Sequence, residues 1–329
     1  MRFPKIRMRR LRKKKNIRKL VRSINVSKTD LLYPVFVKEG LKKKSEIKGL
    51  PNQYQYPLER LDELINKCEE AGLPAVLVFG IPESKDKIGS EAFNEEGIVQ
   101  KALRYLNNNS DLGIFTDVCL CQYTSHGHCG VLDDTGLNND KTLEILGKVA
   151  VSHANAGADF VSPSGMIDGQ VKSIREKLDD AGYSGVGIMS YSAKYESNFY
   201  GPFRRAAESF PMQTGKEPTI SGRSTYQMDY RARNQALREV ALDVQEGADI
   251  VMVKPALPYL DVIRRVRETF DIPISAYQVS GEYSMIKKFE GESEEDILME
   301  TLFSIKRSGC DFIITYAALE VADLLMETS

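Results

Sequence analysis

Eight short apolar runs, nearly all separated by helical stretches, predict an α/β chain closed as a (β/α)8 TIM barrel. The run Ile250–Val253 is continuously apolar rather than alternating, as expected of a parallel strand covered on both faces. A local repeat points the same way. Ala156-Gly157-Ala158-Asp159-Phe160-Val161, Glu246-Gly247-Ala248-Asp249-Ile250-Val251 and Ser308-Gly309-Cys310-Asp311-Phe312-Ile313 each follow a helical stretch, and Glu70-Ala71-Gly72-Leu73-Pro74-Ala75-Val76 is a looser copy. Each places a helix-terminating glycine before a short turn and a buried strand. A doubly wound open sheet is the rival, but no glycine-rich nucleotide fingerprint follows the early strands.

The chain begins with a basic arm, residues 1–29, ahead of a single barrel domain, residues 30–329. Residues 1–24 carry twelve Lys or Arg and no acid, leaving 33 basic against 46 acidic residues in the remainder. A basic arm on an acidic body can bind nucleic acid or embrace a neighbouring subunit. Met8, Leu11, Ile17, Leu20 and Val21 are interleaved among the charges and favour docking on protein.

Leu31–Val37 is the first strand. Pro57 opens a helix whose apolar positions Leu58, Leu61, Leu64, Ile65 and Cys68 share one face, and Gly72 closes it. Ala75–Phe79 is the second strand, and a helix over Gly97–Asn107 leads to the third, Gly113–Val118. The fourth follows Asp159, and the fifth is Val186–Tyr191. Ile250–Val253, Ile274–Val279 and the run after Asp311 complete the eight.

The 329 residues are 42% hydrophobic and 28% charged, which suits a large globular α/β protein. No apolar run approaches the roughly 20 residues of a membrane span. The N-terminus lacks the apolar stretch of a secretory signal. Five cysteines, three of them clustered, do not suggest a disulfide framework. A cytoplasmic protein with reduced thiols, and without a membrane or nucleic-acid partner, is expected.

In a barrel of this kind the C-terminal strand ends form the active-site mouth. Asp117 and Cys119 are placed there after strand three, Ser162 and Ser164 after four, Lys194 after five, Lys254 after six, Ser280 after seven and Tyr316 after eight. Lys254 leaves an apolar strand directly into Pro255, which cannot continue a ladder. A lysine held there either snorkels to water or loses hydration and becomes a nucleophilic amine.

The loop from Cys119 to Cys129 carries three thiols. Cys119 and Cys121 point to one side in extended backbone, and Gly127 and Gly130 allow Cys129 to return to them. Three thiolates and one free position make an open zinc site. His126 or His128 would close it into a structural one, and reduced loop cysteines are the bland alternative. Residues 195–230 read as a long lid-like loop rich in Gly, aromatics and Arg, in which Arg204 and Arg223 suit a carboxylate or simply face solvent.

Taken together, Asp117-Val118-Cys119-Leu120-Cys121, Thr124-Ser125-His126-Gly127-His128-Cys129-Gly130, Ser190-Tyr191-Ser192-Ala193-Lys194-Tyr195, Phe199-Tyr200-Gly201-Pro202-Phe203-Arg204, Met252-Val253-Lys254-Pro255-Ala256 and Tyr277-Gln278-Val279-Ser280-Gly281-Glu282 resemble the porphobilinogen synthase (5-aminolevulinate dehydratase) family. The resemblance runs from about Asp30 onward. It implies a TIM barrel with an N-terminal arm, a homo-octamer, and condensation of two 5-aminolevulinate molecules to porphobilinogen, an early step of tetrapyrrole (heme) synthesis. It further implies Schiff bases on Lys254 (propionate side) and Lys194 (acetate side), and zinc on Cys119, Cys121 and Cys129. Arg204, Arg223 and Gln227 match residues receiving the acetate-side substrate, and Ser280 and Tyr316 those holding the propionate-side carboxylate. Tyr200 and Phe203 match lid aromatics. Glu239 matches a glutamate that in some members supports an allosteric magnesium at a subunit interface.

One stretch departs from the pattern. Ser162–Gln170 has Gly165 where many members carry an acid and Gln170 where they carry arginine. Asp117 is then the expected carboxylate near the metal, with Asp168 at an interface. The residue types suit the chemistry independently, because an amine forming an iminium both activates a ketone and acidifies its neighbouring carbon. The nearest rival is an aldolase-like enzyme using one Schiff-base lysine; a zinc- and nucleic-acid-binding module is the alternative from another class.

Overall fold

The computed structural model describes residues 2–134, 136–211, 222–291 and 293–327. Its centre is a run of eight parallel strands: β1 (Leu31–Lys38), β2 (Ala75–Ile81), β3 (Gly113–Val118), β4 (Phe160–Pro163), β5 (Gly187–Lys194), β6 (Ile250–Lys254), β7 (Ile274–Gln278) and β8 (Phe312–Thr315). Each pairs with the next, and β8 returns to β1 through Leu31 opposite Ile313 and Leu32 opposite Ile314. The sheet therefore closes, as expected from the eight apolar runs, and the open-sheet rival is excluded. Helices α1 (Leu61–Ala71), α2 (Ile98–Asn109), α3 (Asn139–Asn155), α4 (Gln170–Asp180), α5 (Gln235–Glu246), α6 (Leu260–Thr269), α7 (Glu294–Ser308) and α8 (Ala318–Glu327) form the outer ring, one after each strand.

Local chemistry sets these elements. The face of α1 that carries Leu61, Leu64, Ile65 and Cys68 is buried, as its spacing requires. Val251, Met252 and Val253 of β6 have no exposed surface, and burying each such side chain contributes about 1.5–3 kcal/mol. Asn138 accepts the Lys141 N–H at 3.0 Å and caps α3. Gly247, at φ 105°, turns the chain out of α5 in a conformation that a residue with a Cβ resists.

The Gly-Ala/Cys-Asp repeat has a structural reason that its sequence pattern did not reveal. The carboxylates of Asp159, Asp249 and Asp311 accept the N–H of Ile114, Ile188 and Ile274 on the preceding strand, at 2.7 Å in every case. The amides of the same aspartates donate to the carbonyls of the same isoleucines. The repeat thus stitches β4 to β3, β6 to β5 and β8 to β7 at the floor of the barrel. In the looser copy Pro74 replaces the aspartate, and its carbonyl accepts the Gly113 N–H at 2.9 Å.

Three details depart from the sequence expectation. The fifth strand runs on through Lys194 instead of stopping at Tyr191. The loop after β1 contains Tyr54–Tyr56, added beside β1, with Ser45–Glu46 antiparallel to it. The 195–230 stretch is partly helical: a 3-10 turn at Asn198–Tyr200 leads into a helix at Gly201–Ala206, begun by Ser197 Oγ accepting the Phe199 N–H at 3.1 Å. Residues 212–221 of that stretch lie outside the described residues.

In the arm, Met8–Leu11 and Lys15–Leu20 are helical and bury no residue within the chain. Phe3 and Leu20 stand 72% and 80% exposed. Among the described residues no helix is long and apolar enough to cross a membrane.

Candidate active site

Lys254 is the last residue of β6 and Lys194 the last of β5, and the two are paired across the strands. They are 4% and 6% exposed, so the snorkelling alternative is set aside. Aromatic rings wall the Lys254 ammonium: its Nζ lies 3.9 Å from the Tyr277 ring centre, 4.9 Å from Tyr191, 5.1 Å from Phe203 and 5.5 Å from Tyr200. Lys194 Nζ shares the Tyr191 ring at 5.4 Å and donates to the Ser164 carbonyl at 2.5 Å. Burial first, and then the Lys194 charge, push the Lys254 pKa well below the lysine range, only partly offset by Asp117 and the thiols of Cys121 and Cys119. Asp117 is itself buried, which raises its pKa against hydrogen bonds from Ser164 and Gln122 and the two lysine charges. Gln122 Nε2 donates to Asp117 Oδ2 at 3.0 Å.

The three thiols beside this pair come together as the loop spacing suggested. The sulfurs of Cys119, Cys121 and Cys129 all lie within 4.8 Å of one another and are buried. Thiol hydrogen bonds from Cys119 and Cys121 hold the Cys129 pKa well below the usual thiol range, with the Arg223 guanidinium adding to them. A set of soft, closely spaced donors with one already favouring the thiolate fits zinc. Neither histidine joins the set. His126 Nε2 lies 3.2 Å from the Lys87 carbonyl and its Nδ1 accepts the His128 N–H, while His128 Nδ1 lies 3.1 Å from Tyr226 Oη. Gly127 makes the return possible: at φ 70° it passes so close to the Phe210 carbonyl that any Cβ would collide with it.

The helix Gly201–Ala206 lies over the mouth. Phe203 packs its ring 5.1 Å from Phe79 and 5.9 Å from Phe36, and its N–H donates to Ser280 Oγ at 3.0 Å. Tyr200 Oη donates to the carbonyls of Tyr195 and Lys254, and Tyr277 Oη donates to Tyr316 Oη at 3.1 Å. Several buried polar atoms at this mouth have no hydrogen-bond partner among the described residues: the Nε atoms of Arg204 and Arg223, both amide atoms of Gln227 and the Tyr191 hydroxyl. Buried groups in folded proteins are almost always paired, so a cluster of orphans marks a place for a polar ligand. Burial and the neighbouring Arg223 charge lower the Arg204 pKa, so an anion between the two would relieve both.

A model of the family described as delta-aminolevulinic acid dehydratase matches residues 5–324. The chain belongs to that family. It is 56% identical to the delta-aminolevulinic acid dehydratase of Methanothermus sociabilis over 98% of this chain and 99% of the relative. It is 53% identical to that of Archaeoglobus fulgidus, over 98% and 99%. Among solved structures, the delta-aminolevulinic acid dehydratase (porphobilinogen synthase) of Toxoplasma gondii ME49, in complex with its reaction product porphobilinogen, superposes with a TM-score of 0.94 at 39% identity, covering 98% of this chain and 92% of that one.

Within the dehydratase frame, Lys254, Lys194, Asp117, Cys119, Cys121, Cys129, Arg204, Arg223, Gln227, Ser280, Tyr316, Tyr200 and Phe203 cluster at one end of the barrel. Glu239 does not. It lies on α5 in the outer ring, where Gln235 Nε2 donates to it at 3.3 Å. There it lines a cleft of about 740 Å³ together with Asp168, Asp243 and Glu246. The departure at Gly165 falls beside the thiols: a Cβ built there would stand 3.7 Å from Cys129 Cβ. That is ordinary contact with the cysteine, whereas Ile167 Cγ1, 3.0 Å from the same Cβ, would have to give way to a side chain at 165. Tyr226, which the sequence reading did not single out, also reaches this site. Its ring packs on the cysteine trio, and the only signal for it in the sequence was its place between Arg223 and Gln227.

Proposed function

We propose that this chain is a porphobilinogen synthase, a lyase that condenses two 5-aminolevulinate molecules into porphobilinogen with loss of water. The observation that carries the reading is the pairing of two buried lysines, Lys254 and Lys194, beside three clustered thiols. Lys254, its pKa lowered by burial and by Lys194, attacks the ketone of the propionate-side substrate through its neutral amine and forms an iminium as the ketone oxygen leaves as water. Tyr316 and Ser280 receive that substrate's carboxylate. Lys194, aimed by the Ser164 carbonyl, forms the corresponding Schiff base with the acetate-side substrate, whose carboxylate meets Arg204, Arg223 and Gln227. Asp117 sits where a carboxyl can take and return a proton between the two. Tyr200 and Phe203 keep water from the iminium. Zinc held by Cys119, Cys121 and Cys129 would act as a Lewis acid toward a carbonyl or water when bound.

The proposal extends to assembly and location. The exposed apolar residues of the arm suit contacts with a neighbouring subunit, in a homo-octamer that works in the cytoplasm. Glu239 in its acidic cleft suits an allosteric magnesium. Purified protein incubated with 5-aminolevulinate should release porphobilinogen, and a zinc chelator should suppress it. Borohydride trapping with substrate should label both lysines. Label on one lysine with no porphobilinogen would instead indicate aldolase-like chemistry.

A further inference from the structure

The strip from Arg223 to Met228 is tied at both ends to the chemistry. At one end Arg223 Nη2 donates to the Gly127 carbonyl at 3.0 Å and to the Ser209 carbonyl at 2.9 Å. Tyr226 Oη lies 3.1 Å from His128 Nδ1 and accepts the Cys129 N–H at 3.5 Å. At the other end the Met228 N–H donates to the Lys194 carbonyl at 3.2 Å, and the Glu196 N–H donates to the Met228 carbonyl at 2.8 Å. Between these ends the strip is a single tight turn, with the N–H groups of Tyr226 and Gln227 both directed at the Arg223 carbonyl. It carries Arg223 Nε and the Gln227 amide, buried and without partners among the described residues.

Such a strip cannot shift at one end without moving the other. Groups that ligate a metal are oriented by the partners of their neighbours, and loss of such a partner usually weakens the metal. Tyr226 is the side chain of the strip that reaches the cysteine loop nearest a sulfur ligand, through His128 and the Cys129 backbone. We propose, on the reading of Cys119, Cys121 and Cys129 as zinc ligands, that Tyr226 is a positioning residue: its hydroxyl fixes the 128–129 backbone to the strip, so that metal occupancy and the alignment of Arg223 and Gln227 are coupled. Coupling of this kind is reciprocal, so occupancy of the Arg223–Gln227 subsite tightens zinc and zinc tightens the subsite.

The full-length protein provides the test, by zinc competition against a chromogenic chelator, absorption of cobalt(II) at the thiols, and steady-state kinetics. Tyr226→Phe keeps the ring and removes the hydroxyl. It should keep its thermal midpoint, bind zinc about tenfold more weakly, alter the cobalt ligand-field band, and raise KM for 5-aminolevulinate more than it lowers kcat. Adding 4-oxopentanoate, the substrate skeleton without its amine, should tighten zinc in the parent protein and no longer do so in Tyr226→Phe. His128→Gln should weaken zinc similarly, and the double variant should be no worse than either single one. Parent-like zinc affinity and cobalt spectrum in Tyr226→Phe, or additive losses in the double variant, would overturn the proposal. If the parent binds zinc no better than Cys129→Ser, the zinc reading itself fails, which is a separate result.

Discussion

Lys254 stands opposite Lys194 because the β5–β6 register slips by one residue just before them. Val251 pairs with Ser190, yet Val253 pairs with Ala193. Continuing the first register would set Lys254 against Ala193. The extra β5 residue instead brings both lysines level, and both ammoniums reach the Tyr191 ring. Irregularities of this kind commonly re-aim side chains beside active sites.

The two lysines should react unequally. Lys254 is walled by aromatic rings, whereas Lys194 donates to the Ser164 carbonyl. Under borohydride with limiting 5-aminolevulinate, label should appear first on Lys254. Lys254→Ala should lose both turnover and early trapping, and Lys194→Ala should lose turnover alone. Early label mainly on Lys194, mapped by peptide mass spectrometry, would reverse the assignment.

The same pair sets a pH dependence. An amine attacks only when deprotonated, so a lowered pKa moves the onset of trapping at Lys254 to lower pH than an ordinary lysine near 10.4 allows. The Lys194 charge is one cause of that lowering. Replacing it in Lys194→Gln should therefore shift the trapping profile to higher pH. A profile that stays in place, or moves down, contradicts the electrostatic account.

Cys129→Ala should lose zinc and most activity, by at least about 100-fold. Its thermal midpoint should stay within about 3 °C of the parent, since the cysteine loop lies beyond the strand ends. Unfolding on loss of metal would make the site structural.

The aspartate stitches at the barrel floor should matter for stability and not for chemistry. Asp249→Ala leaves the Ile188 N–H without its carboxylate and should cost about 1 kcal/mol. Asp159→Ala and Asp311→Ala should add to it nearly independently. A triple variant as stable as the parent in thermal unfolding would show the stitches to be incidental.

Deleting residues 1–24 should leave a folded barrel but reduce the assembly to dimers or smaller and lower activity. The two arm helices, Met8–Leu11 and Lys15–Leu20, bury no residue, and Phe3, Met8 and Leu20 remain exposed. Sedimentation reads the result directly, and an unchanged mass would remove the arm from assembly.

Much of this protein was legible one residue at a time. Apolar runs with buried-strand character and glycines after helices are local properties, so the eight strands and their order could be read along the chain. The spacing of Cys119 and Cys121 and the position of Lys254 before Pro255 are local as well. Other features arise only when distant segments meet. The slip that levels Lys194 with Lys254 belongs to a pair of strands, not to either one. The failure of His126 and His128 to join the thiols depends on Lys87 and Tyr226, which fold against that loop from elsewhere. The aspartate repeat was visible as a pattern, but its purpose required the neighbouring strand that each carboxylate reaches. Hydrogen-bond partners and register are relations between segments, and closure of the barrel is what brings those segments into range.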